Sequence, residues 1–173
     1  MSLREYNQLK EVFSKVSIAS DVEGILHWDM STMMPSNSRH NRANQLAFIA
    51  NLKHSLLSDP SVADLISNID ISQLSKNDLT NFREMKREYV LLSSLPSDLV
   101  EAISKTSALC EGKWQEAKKN CDFSIVKSSL NDLINLSRQE SEILSEKLNC
   151  SPYEALIQKY EPYSNADHIT KVF

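Results

Sequence analysis

Apolar side chains recur every three or four positions along almost the whole chain, and this period fixes the fold class before composition is considered. Leu3, Tyr6, Leu9, Phe13, Val16, Ala19 and Val22 make the first stripe, and Ile25, Leu26 and Trp28 extend it, which predicts one long amphipathic helix. Gly24 sits inside that helix at a cost of about 1 kcal/mol relative to alanine, which a helix of this length tolerates. Only two glycines occur in 173 residues, and no segment alternates with the period of two expected of a strand. The expectation is an all-α array of about seven to eight helices, headed by a long N-terminal one and containing no sheet.

Prolines and capping residues divide the array. Pro35 ends the first helix, and the polar turn Pro35-Ser36-Asn37-Ser38 leads to a second stripe of Leu46, Ile49, Leu52 and Leu56. Asp59 and Pro60 form a cap and first-turn pair for a short helix carrying Val62, Leu65 and Ile66, after which residues 69–75 read as a loop. Ser75 and Asp78 resemble a capping box with the shorter acid, opening a helix whose apolar face is Leu79, Phe82, Met85, Tyr89 and Leu92. From Pro96 the face is Leu99, Ile103, Cys110, Trp114 and Ala117. Asp122 then caps a helix with Val126, Leu130, Leu133, Leu144 and Leu148. Ser151-Pro152 starts a short helix with Tyr153, Leu156, Ile157 and Tyr160, and Asn165 caps a last one in which Ile169, Val172 and Phe173 begin an apolar face.

At 173 residues a single domain over 1–173 is expected, large enough to bury roughly 70% of the unfolded chain's surface. The formal charge is -4 and the basic residues are scattered, which gives no footprint for nucleic acid or for an anionic membrane. The N-terminus is charged where a secretory signal needs an apolar core, and no run approaches the roughly 20 apolar residues of a membrane span. A cytoplasmic location is the expectation. Cys110, Cys121 and Cys150 are odd in number and contain no CxxC, which points to free thiols rather than a disulfide framework or a zinc ribbon.

Few constellations suggest chemistry. Two histidines on one helix bind a shared zinc ion when they are four residues apart, whereas His40 and His54, 14 positions apart, would lie about 21 Å from one another. His27, His40, His54 and His168 therefore read as surface or core-edge residues. In His27-Trp28-Asp29 adjacent helical side chains diverge by about 100°, which argues against a catalytic triad. Asp29, in an otherwise apolar run, needs a partner, and Arg39 or Arg42 across the turn can supply it. Trp28, Met30, Met33 and Met34 read as core rather than as a ligand-facing patch. Gly24 and Gly112 are too far apart for a phosphate-binding loop.

Several ordered blocks carry a resemblance. They are Leu26-x-Trp28-Asp29-x-x-Thr32-x-Met34-Pro35, Arg42-Ala43-x-Gln45 and Leu52-x-His54-x-x-Leu57-x-Asp59. Further blocks are the run from Arg83 to Tyr89, Leu95-Pro96-x-x-Leu99-Val100, Trp114-x-x-Ala117-Lys118, Asp122-Phe123 and Tyr160-Glu161-Pro162. With these blocks the chain resembles the N-terminal third of the Taq-type metallocarboxypeptidases. The resemblance implies an all-helical enzyme, usually dimeric, that releases C-terminal residues from peptides with zinc or a related divalent ion. Its HExxH helix, glutamate ligand, Asp-x-Arg-x-Thr and His-Pro-Phe motifs have no counterpart here, so no catalytic residue and no metal ligand is assigned, and no cofactor is expected in this chain itself.

On this resemblance, Trp28, Asp29, Met34, Arg42 and Gln45 are structural or cleft-lining candidates. Asp29 and Arg42 are expected to fix the corner between the first two helices, with Trp28 and Met34 packed beneath. The expected role is a substrate-cleft or lid portion that is inactive alone, with peptide as partner only in the complete enzyme and a homo-oligomer conceivable. The alternative is a stand-alone helical interaction module. Two departures from the family pattern fall at turns: Asn37-Ser38 stands where a glycine pair is usual, and Tyr163 where a glycine is usual. A Tyr163 that needed positive φ would be strained.

Overall fold

The computed structural model describes residues 2–173, and the described residues contain helices and turns without a strand. Among the described residues eight α-helices run in the order α1 (Ser2–Thr32), α2 (Arg39–Leu57), α3 (Pro60–Asn68), α4 (Lys76–Ser93), α5 (Ser97–Asn120), α6 (Ser124–Leu148), α7 (Pro152–Ile157) and α8 (Ala166–Val172). Single 3-10 turns at Ser36–Ser38 and Ile71–Gln73 interrupt the connections. In space α3, α1, α2, α5, α6 and α7 are successive neighbours, with α4 also against α2. None of these helices is long and apolar enough to cross a membrane.

Local chemistry sets the boundaries. The Asp59 carboxylate accepts the Ser61 amide at 2.8 Å ahead of Pro60, and the Asn165 side chain accepts the His168 amide at 2.8 Å. Ser151 and Glu154 form a reciprocal capping box around Pro152. At Ser75 the box is altered: its hydroxyl accepts the Asp78 amide but donates to the Asp78 carboxylate at 2.6 Å, because the shorter acid is held on the hydroxyl. The α5–α6 connection turns at Cys121, whose φ of 51° is left-handed. The amides of Cys121 and Asp122 return to the carbonyls of Lys118 and Ala117, a Schellman arrangement that satisfies the end of α5. Asn149 plays the same part after α6, with φ 53°.

The core is divided into clusters strung along the helices. Tyr6, Leu9, Phe13 and Val16 of α1 pack with Leu57, Val62 and Phe82. Leu99, Val100, Leu144 and Ala155 join α5, α6 and α7. Met30, Ala43, Leu46 and Ala108 close the corner of α1, α2 and α5. The α2–α5 contact is the most extensive of all, and small residues make it: Ala43 and Ala47 on one helix, Ala108 and Gly112 on the other.

That packing corrects four expectations. Trp114 is half-exposed, with the Lys118 ammonium 5.3 Å from its ring centre, because α5 turns its small-residue face to α2. Leu52 lies on the open side of α2, whose buried positions are Ala43, Leu46, Ala47, His54 and Leu57. Tyr153 and Tyr160 are exposed, and Ala155 is the buried residue of α7. Val172 and Phe173, on the apolar face expected of the last helix, are both exposed.

The last segment is clasped onto α4. Arg87 donates to the Gln158 carbonyl at 3.1 Å, and the Gln158 amide group spans the turn, accepting from Tyr163 N at 2.9 Å and donating to the Ser164 carbonyl at 2.6 Å. Tyr163 has φ 66°, the strained conformation expected if glycine's place were kept by another residue.

Candidate functional site

The corner between α1 and α2 is built by the end of one helix and the start of the next. Met33 and Met34 both donate their amides to the Asp29 carbonyl at 2.9 Å, which closes α1, and Pro35 continues with extended backbone. Arg42, one turn into α2, then reaches back to α1 with two donors and along its own helix with a third. Its Nη2 meets Asp29 Oδ2 at 2.5 Å, its Nη1 donates to the Leu26 carbonyl, and its Nε donates to Gln45 Oε1 at 2.9 Å. The Arg42 side chain is largely buried while Asp29 keeps about a third of its exposure, so the charge pair is closed on the guanidinium side and wet on the other. A second ion pair, Lys53 with Glu23, ties the same two helices farther along.

The structure thus brings Asp29, Arg42 and Gln45 together, and Met34 packs with Met30, Leu46 and Ala108 beneath the corner. Trp28 does not join them: it is 63% exposed, as is much of Met33, because the face of α1 at Met30 is the one turned to α2 and α5. Trp28 contributes its carbonyl instead, accepting from the Thr32 hydroxyl at 2.7 Å.

Two residues here take partners that the sequence reading did not name. His54 is buried, and its Nε2 lies 2.7 Å from the Leu95 carbonyl and 3.2 Å from the Ser58 hydroxyl. A carbonyl can only accept, so Nε2 carries the proton. The bond holds α2 to the entry of α5, and its partner 41 positions away left no local signal. Arg39 is the other: half-buried, it crosses from the start of α2 to lie on Gly112 of α5.

Beyond Arg39 a cavity of about 940 Å3 opens between the turn at Ser36 and Asn37, α5 and α6. Among the described residues no group of three or more His, Cys, Asp or Glu side chains is arranged to hold a metal ion. His54, the buried histidine, is already committed to a carbonyl. The cavity wall carries polar and charged side chains, among them Arg39, Lys113, Glu116, Lys119 and Asp132.

The family profile for "Carboxypeptidase Taq (M32) metallopeptidase" matches residues 8–173. Thermostable carboxypeptidase 1 of Thermus thermophilus is 25% identical over 97% of this chain and 35% of its own length. Thermostable carboxypeptidase 1 of Pyrococcus furiosus is 24% identical over 96% of this chain and 33% of its own. The solved structure of Trypanosoma cruzi metallocarboxypeptidase 1 superposes with a TM-score of 0.80 at 27% identity, covering 99% of this chain and 34% of that one. The chain spans about a third of the length of the relatives it matches.

Proposed function

Because the chain belongs to the Carboxypeptidase Taq (M32) metallopeptidase family, we propose that these 173 residues form a substrate-cleft wall of such an enzyme. In this proposal the metal ion, zinc or another divalent cation, is held by residues outside the 173, and the complete enzyme releases C-terminal residues from peptides. The observation that carries it is the conjunction of a clamped Asp29–Arg42 corner with a cavity of about 940 Å3 beside it, in a sequence without HExxH. A rigid corner keeps a cleft wall in register with the groups that act on the substrate. Trp28, exposed at the corner, and Met34, packed behind it, are the side chains that shape its two sides.

The test is hydrolysis of an N-blocked dipeptide by the purified 173-residue protein with zinc or cobalt, with and without a chelator. No release above background is expected. Metal-dependent release abolished by the chelator would overturn the assignment of the chemistry to residues elsewhere.

A second function, a helical interaction module, is favoured by one observation: Ile18 and Ile25 on α1 and Phe48 on α2 are large apolar side chains left exposed. Light scattering across a concentration series separates the two, since a module that pairs with itself gains mass as concentration rises.

A further inference from the structure

Arg39 is held like a ligand-binding arginine rather than a structural one. A Cβ at Gly112 would lie 2.6 Å from its Nη1 and 2.7 Å from its Cδ, so the arginine can lie flat on α5 because position 112 lacks a side chain. Its Nη2 donates to Gln115 Oε1 at 3.3 Å, and the other end of that amide is turned toward Glu111 Oε1 at 3.5 Å. Arg42 and Arg87 are neutralised by Asp29 and Glu84, whereas Arg39 is paired with an uncharged amide oxygen and keeps its whole charge.

Arg39 is one of the residues lining the cavity of about 940 Å3, a volume within the range of ligand-binding clefts. Lys113 and Lys119 add to its charge, Glu116 and Asp132 oppose it, and the wall keeps one net positive charge in a chain whose formal charge is -4. One net charge suits a single carboxylate better than a phosphate dianion or a polyanion. The planar fork of a guanidinium pairs with a carboxylate through two parallel hydrogen bonds. Arg39 is half-buried against α5 and still lines the cavity.

We propose that this cavity is a subsite for an acidic side chain of a peptide, with Arg39 as its anchor. That the ligand is a peptide rests on the cleft-wall function above; the anion preference of the cavity does not.

The test is calorimetric titration of the 173-residue protein with acetyl-Ala-Ala-Glu-Ala-Ala-amide and with its Gln counterpart, neither of which has charged ends. The Glu peptide is expected to bind at least tenfold more tightly. Arg39→Gln should abolish that preference, and Gly112→Ala should reduce it severalfold by pushing the guanidinium off α5, a change the flexible arginine can absorb without unfolding the helix. Lys15→Gln, a charge change on α1, should leave it intact. Equal affinity for the two peptides, an unaffected Arg39→Gln protein with native circular dichroism, or displacement of the Glu peptide by an equal concentration of inorganic phosphate would overturn the subsite. The hydrolysis assay above stands apart from these outcomes, so the subsite and the cleft-wall function fail separately.

Discussion

The Tyr163 hydroxyl donates to Glu84 Oε1 at 2.7 Å, so a residue in left-handed backbone is tied to α4 79 positions earlier. Two opposing effects meet at one side chain, and two variants separate them. Tyr163→Phe removes only the hydrogen bond, which at this exposed site should cost about 0.5–1 kcal/mol. Tyr163→Gly loses the same bond and relieves a strain of about 1 kcal/mol, so it should unfold at higher urea than the Phe variant. A Gly variant weaker than Phe would show that the turn does not strain tyrosine.

The two halves of the Asp29–Arg42 pair should not be equivalent. Removing Asp29 takes one acceptor from a guanidinium that keeps the Leu26 carbonyl and Gln45, and its remaining exposure to solvent limits the loss to about 1–2 kcal/mol. Removing Arg42 strips all three bonds and its packing, so Arg42→Ala should cost about 2–3 kcal/mol. Urea denaturation of both variants checks the order, and an unchanged midpoint for Asp29→Ala would refute the clamp.

His54→Leu keeps the bulk of the side chain while leaving the Leu95 carbonyl without its buried donor. A loss of about 1–3 kcal/mol is expected from that orphaned group. Hydrogen exchange should localise the loosening to the first turns of α5, since Leu95 leads directly into that helix through Pro96.

Acid should weaken the fold through its exposed capping carboxylates. Asp59, Asp70 and Asp122 are held below the usual carboxylate range first by bonds from the side chains of Ser61, Ser72 and Ser124 and then by the amides of those residues, and Glu154 by Ser151 in the same order. Glu84 is lowered by the Tyr163 hydroxyl first and Arg87 second. Groups lowered on folding stabilise the native state fully above their unfolded values, near pH 4, and lose that contribution as pH falls through the lower folded values. The thermal midpoint should therefore drop below about pH 4, and Asp59→Asn with Glu154→Gln should make that drop shallower.

Elements whose signals are local were legible from sequence: Asp59-Pro60, Ser151-Pro152 and Asn165 mark helix starts because each cap bonds an amide two or three residues on. The all-α class followed from periodicity in the same way. Faces were harder to assign. Trp28 was expected beneath the corner, yet the neighbouring helices take the Met30 face, and 100° of rotation per residue leaves the tryptophan outside. Arg39 on Gly112 and His54 on Leu95 join positions 73 and 41 residues apart, and no pattern in a single chain records such meetings.

Helix α1, 31 residues and so about 46 Å long, threads two separate hydrophobic clusters, one around Leu9 and one around Met30. It is a strut held at both ends, by the Arg42 corner at one and by the packing of α3 and α4 at the other. Gly24 lies between those two ends with nothing within 4 Å of where its Cβ would stand. A methyl group there meets open space, so Gly24→Ala should stiffen and stabilise the strut by about 1 kcal/mol.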